Sequence, residues 1–169
     1  KFKGKKMNNV VHAERIFARF KQDEFDLINE SMDLFDVTVA TKTLFNNSWF
    51  MTNQMNVFVI MGSIECVSRD TVHTFTEMAL DYARKRRKEF SRTVKSVTAC
   101  YSILISPSIE DEARKWVLQK PCNHFRLFEL PVLLDSLNNS LFYYRKTVGR
   151  EPTHYRFLQD FVQKYFIGA

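Results

Sequence analysis

The sequence predicts a single α/β domain, a mixed central β-sheet flanked by helices. Three observations carry that prediction. Val57-Phe58-Val59-Ile60-Met61 is an unbroken apolar run of strand length, suited to a strand buried on both faces. Val97, Ala99, Tyr101, Ile103 and Ile105 alternate with Thr98, Cys100, Ser102 and Leu104, which is the period of a strand. Helical stripes follow these runs, one at Val72, Phe75, Ala79, Tyr82 and Ala83 and one at Ile109, Ala113, Trp116 and Val117. A strand, helix, strand, helix, strand succession demands crossovers that place helices over the sheet.

The elements read in order as α-β-β-β-α-β-α-β-β-α. Residues 9 to 34 are expected to be helical. Asn9 is the cap, Ala13, Phe17 and Phe20 form one stripe, and Phe25, Ile28, Met32 and Phe35 form a second beyond a bend near Lys21–Asp23. Val37-Thr38-Val39-Ala40-Thr41 is β-branched and reads as a strand. Turns at Asn46-Asn47-Ser48 and Asn53-Gln54-Met55-Asn56 bracket a short strand, Trp49-Phe50-Met51-Thr52. With Val57–Met61 these strands make an antiparallel meander.

Ser68 or Asp70 caps the next helix, and Arg86 lies in phase with its apolar stripe, its stem able to run along apolar surface. Ser106-Pro107-Ser108 before Glu110-Asp111-Glu112 has the form of a capped helix start, with acids near the positive end of the dipole. Phe125 to Leu134 is strand-like. Pro131 inside it removes a donor, so it is read as an edge strand, a bulged strand or two pieces. Asn138-Asn139 is a hairpin turn into Leu141–Tyr144. A last helix begins near Thr153, buries Tyr155, Leu158, Phe161, Val162 and Tyr165, and stops before Gly168.

Composition narrows the class. Aromatics at 14%, with 16 Phe, supply enough apolar surface to exclude disorder. No apolar run of about 18 residues is present, so no membrane partner is expected. Cys66, Cys100 and Cys122 are too few and too scattered for a disulfide framework and fit a reducing, cytoplasmic compartment. Residues 1–8 are read as a basic tail, disordered or engineered, preceding a domain over 9–169. The net charge of +6 is local. The four lysines of residues 1–6 and the five cations of Arg84-Lys85-Arg86-Arg87-Lys88 together exceed it, so the remainder is net acidic. Such a block either attracts nucleic acid or an acidic partner, or only complements a helix C-terminus.

Candidate chemistry is sparse. Cys122-Asn123-His124 is the tightest metal-capable pair, but a structural zinc site wants four ligands, and no metal or cofactor is expected. The pair also has the residue types of a thiol nucleophile and its base. Cys100 reads as an inert buried thiol, and Gly62-Ser63 as too poor in glycine for a phosphate-binding loop. Glu129 and Asp135 bracket Pro131 near a strand end, where an α/β domain can open a ligand crevice, with His124 and Tyr101 as companions.

The order α-β-β-β-α-β over residues 9–105 resembles the core of the PD-(D/E)xK nuclease superfamily. That family needs an acid on one strand and an acid-x-Lys pair on the next to hold a divalent cation and activate water. Here Met61 and Ser63 stand where the acid and the Lys would be, the preceding turn offers Asn53 and Asn56 rather than Asp, and Glu65 has Val67 two residues on. The resemblance implies a nuclease-like fold without that metal chemistry.

Two functions follow. The first is a non-catalytic binding module that contacts nucleic acid or an acidic partner through Arg84, Lys85, Arg87 and Lys88. The second is a divergent metal-dependent hydrolase drawing on Glu65, Glu129, Asp135, Cys122 and His124, at least two of which would converge in a cleft. Tyr143 and Tyr144, read as exposed on an edge hairpin, offer a surface for homodimer pairing.

Overall fold

The computed structural model describes residues 2–45, 54–90, 96–145 and 153–167. The elements run α1 (Phe2–Gln22), β1 (Asp26–Met32), β2 (Phe35–Phe45), β3 (Gln54–Ser63), α2 (Arg69–Phe90), β4 (Ser96–Ser106), α3 (Asp111–Val117), β5 (Asn123–His124), β6 (Leu127–Asp135), β7 (Ser140–Tyr143) and α4 (Thr153–Phe166). This is the expected order with one addition, the two-residue β5. All seven strands form one sheet in the order β1-β2-β3-β4-β6-β5, with β7 also paired to β6. β1, β2 and β3 are antiparallel, and β3, β4 and β6 are parallel.

The parallel centre explains the sequence pattern. Every residue of β4 is buried, including the polar half of its alternation, because helices cover both faces. One core joins Ile16 and Phe20 of α1 and Tyr155, Leu158 and Phe161 of α4 to Val59, Tyr101, Ile103 and Leu130. The other joins Val72, Phe75 and Ala79 of α2 and Ala113 and Val117 of α3 to Ile60, Cys100, Leu104 and Leu133. Arg19 of α1 donates to the carbonyls of Tyr165 and Ile167 at 3.0 and 2.9 Å, satisfying acceptors that the end of α4 leaves open. Thr71 N–H bonds Ser68 Oγ at 3.2 Å, so Ser68 is the cap of α2. Gly62 lies within β3, where an added Cβ would meet Phe75 Cε2 at 3.1 Å. Its role is close helix–sheet packing.

Several boundaries differ from expectation. The helix over residues 9–34 is two things. α1 starts at Phe2 and ends at Gln22, and Phe25–Phe35 enters a hairpin whose tip carries Asp33 at φ 49° and Leu34 at 94% exposure. Phe25 still packs inward, 4.8 Å from Phe20, but as a residue leading into an edge strand. Gln54, Met55 and Asn56 belong to β3 rather than to a turn. Trp49–Thr52, the turn at Asn46–Ser48 and Asn53 lie outside the described residues. α3 begins only at Asp111, because Ser106 Oγ instead bonds the Glu65 carbonyl and both backbone groups of Ser108. β6 begins at Leu127, which leaves Phe125 outside the strand. Pro131 sits where pairing on the outer side of β6 stops at Phe128 and resumes at Val132, so no ladder partner needs its missing N–H. Tyr143 and Tyr144 are buried rather than exposed. Arg145 covers the first ring, and the second packs edge-on against Tyr155 at 5.6 Å. They offer no dimer surface.

Phe161 ties α4 to the sheet, stacking on Tyr101 at 4.4 Å and meeting Tyr165 at 4.5 Å. Phe161→Ala is expected to cost about 3–5 kcal/mol, read as a lower urea midpoint at unchanged slope. A loss below about 1 kcal/mol would contradict this packing.

Candidate functional site

β6 alternates its side chains between the two cores. Leu127 and Leu133 face α2, and Glu129 lies on the same face between them. Its side chain is only 7% exposed. A buried carboxylate must be hydrogen-bonded, and Glu129 is. Its Oε1 accepts the N–H of Cys122 at 2.9 Å, and its Oε2 lies 3.1 Å from His124 Nε2. On the other side of the ring, His124 Nδ1 is 3.3 Å from Arg84 Nη2. A guanidinium only donates, so Nδ1 accepts from Arg84, and Nε2 carries the proton and donates to Glu129. The relay Arg84–His124–Glu129 thus links α2, β5 and β6.

A second grip lies one turn further along α2. Arg87 Nη1 donates to the carbonyls of Phe125 and Arg126 at 3.2 and 3.4 Å. These two residues are the tip of the β5–β6 hairpin, which His124 and Leu127 close. Arg126 takes a left-handed backbone, φ 57°, uncommon for a residue with a side chain. Its guanidinium lies 5.1 Å from the Phe125 ring centre, and Phe125 is 81% exposed.

The candidate catalytic residues do not form one site. His124, Glu129 and the backbone of Cys122 meet at the N-terminal end of the parallel strands. Glu65 and Asp135 lie at the opposite end, with five residues of strand between Glu129 and Asp135, a span of about 20 Å. Asp135 closes its own turn. It accepts the backbone N–H groups of Leu137 and Asn138, both at 3.0 Å, and the Asn138 side chain at 2.8 Å. Burial acts to raise its pKa, but these bonds, aided by Arg114, outweigh it and hold the carboxyl below its ordinary value. Glu65 is exposed, and the Ser106 hydroxyl is bonded to its backbone carbonyl. Tyr101 faces the other core, under Phe161, and joins no cleft with His124. A cavity of about 420 Å³ on the α4 face of the sheet is lined by Asp23, Lys42, Phe157, Asp160, Lys164 and Tyr165, none of them a sequence candidate.

Both ring nitrogens of His124 and both Glu129 oxygens are hydrogen-bonded in the structure, and Cys122 contacts Glu129 through its backbone N–H. Cys100, beside Glu129 on β4, is buried. Burial pushes its thiol well up, the Glu129 carboxylate adds to this, and Arg84 opposes it, so it stays protonated and unreactive. Among the described residues no three His, Cys, Asp or Glu side chains gather as a metal site, and no helix is long and apolar enough to cross a membrane.

The basic run divides by helix face. Arg84 and Arg87 turn toward the β5–β6 turn, where Arg87 holds the backbone carbonyl of Arg126 and the Arg126 guanidinium lies over the Phe125 ring. Arg86 turns the other way, 3.4 Å from Glu30 and 5.4 Å from the Tyr82 ring. Lys85 stands on a flank beside Asp33 and Asp81. Lys88 continues α2, and its side chain lies outside the described residues. Arg126 and Phe125 were missed from sequence, since the turn that brings them to α2 has no Gly or Asn at its left-handed position.

No family model, curated protein or solved structure matches this chain. The site stands on its own geometry.

Glu129→Leu keeps the buried volume and strips the turn of its acceptor. Losing two hydrogen bonds is worth about 1–3 kcal/mol, so amide exchange over residues 122–127 is expected to quicken about tenfold or more while β4 stays protected. Unchanged exchange in the turn would show that Glu129 does not hold it.

Proposed function

We propose that this protein is a nucleic-acid-binding module without a catalytic centre, and that it binds through the surface shared by the C-terminal turns of α2 and the β5–β6 turn. One observation carries the reading. Arg126, distant in sequence from the basic run, is held beside it because Arg87 grips the carbonyls of Phe125 and Arg126. Complementing the dipole of α2 accounts for cations on α2 alone. It gives no reason for a cation from another element to join them. Arg87 and Arg126 have no carboxylate partner among the described residues, and Arg84 shares its charge with an exposed Asp81 at 2.9 Å. Such a cluster matches closely spaced phosphates. Lys85, on the other flank, contributes less.

The hydrolase reading has less support. Its five residues fall at two ends of the sheet, and the two side chains that meet, His124 and Glu129, use their polar atoms on each other, on Arg84 and on Cys122 N–H. The nuclease-like resemblance belongs to the scaffold in this reading. The order of elements from α1 to β4 supports it, whereas Met61 is buried in the core shared with α1 and α4, and Ser63 ends its strand exposed.

Arg87→Gln with Arg126→Gln is expected to lower the slope of log affinity against log salt by about 1.5–2, and Lys85→Gln by less than about 1. Failure of the unmodified protein to bind nucleic acid at low salt would refute the proposal. So would retention on polyglutamate equal to that on nucleic acid, which would point to an acidic protein partner.

A further inference from the structure

The geometry points to the β5–β6 turn as a base-stacking platform, and from it we infer that the preferred ligand is single-stranded nucleic acid, an inference that rests on the cationic-surface reading above. Phe125 is 81% exposed at the tip of a two-residue turn. Isolated exposed apolar residues are ordinary on protein surfaces. Phe125 differs in its surroundings and in its rigidity. The Arg126 guanidinium lies 5.1 Å from its ring centre, and Arg87 is bound to its carbonyl. The turn beneath is fixed by the Glu129 carboxylate through Cys122 N–H and His124, and by Arg84 through the same imidazole.

An aromatic face flanked by cations suits one ligand geometry well. In an unpaired strand the base faces are open, with phosphates spaced along the backbone next to them. A ring can then take a base while neighbouring cations take phosphates. A duplex hides its base faces in its own stack and offers groove edges and phosphates instead. A single protruding Phe gains nothing from edges. Because the turn is already held in place, little ordering entropy is lost on binding. Stacking on a ring is indifferent to base identity, so weak sequence preference and strong salt dependence go together here.

The test compares oligothymidylate with a duplex of equal length at the same low salt, using the unmodified chain, Phe125→Ala and Phe125→Trp. Phe125 is exposed, so neither substitution disturbs a core. Tighter binding to the single strand is expected. Phe125→Ala should lose about 5- to 100-fold of that affinity with the salt slope unchanged. Phe125→Trp should retain binding and add a fluorescence quench that the unmodified chain lacks. Equal affinity for duplex and single strand, unaffected by Phe125→Ala, would overturn the platform and leave the cationic surface standing. No binding to either would instead remove the reading on which the platform rests. Phe125-dependent binding to phosphatidylserine vesicles with none to oligonucleotides would also overturn it, showing an anionic lipid surface to be the ligand.

Discussion

A buried carboxylate organises the surface described here. Glu129 lies on the α2 face of β6, next to the stretch where neither β5 nor β7 covers that strand's outer edge. An ionised group so placed is costly unless its oxygens find donors. The chain provides them by turning back over it, with Cys122 N–H on one oxygen and His124 on the other. That closure sets the path of residues 122–127. It carries Phe125 outward, presents two carbonyls to Arg87 and points His124 Nδ1 at Arg84. Pro131 belongs to the same arrangement, because it stands in the gap that separates β5 from β7.

The parallel triplet decides which end of the sheet this surface occupies. β3 and β4 run the same way, so α2 must return along the sheet and deliver its C-terminal turns to the start of β4. β6 lies parallel to β4 and starts at the same end. The cations of α2 and the β5–β6 turn therefore meet by topology. Ligands in open α/β sheets usually lie beyond the other end, past the carboxyl ends of the strands. Here the described groups at that end serve the backbone. Asp135 closes a turn, and Ser106 bonds the Glu65 carbonyl.

Much of the architecture was legible because the central strands are long and the helices strongly striped. Val97–Ile105 and the buried face of α4 follow from periodicity, Val57–Met61 follows from an unbroken apolar run of strand length, and Asn139, at φ 50°, makes its hairpin turn as an Asn should. The edge strand β1 was not legible, although Val37–Thr41 of its partner β2 read as a strand. Ile28 and Met32 are four residues apart, a spacing that serves a helix and a strand alike, and an edge strand buries too little to settle the choice. Of the site, His124 and Glu129 could be nominated by residue type. Their partnership with Arg84 could not, because it depends on the crossover that sets α2 over β6. The turn that exposes Phe125 broke local rules by placing Arg126 at a left-handed position, so Phe125 looked like the first residue of a strand.

The central claim is that ligand contact is concentrated on the turn that Glu129 holds against α2. Photo-crosslinking the unmodified protein to oligothymidylate carrying 5-iodouracil, followed by peptide mapping, tests it most directly, since this probe reacts with aromatic rings stacked on it. The adduct should fall on Phe125. An adduct on the opposite face, at Phe157 or Tyr165 beside the Asp23–Lys164 cavity, would contradict the claim.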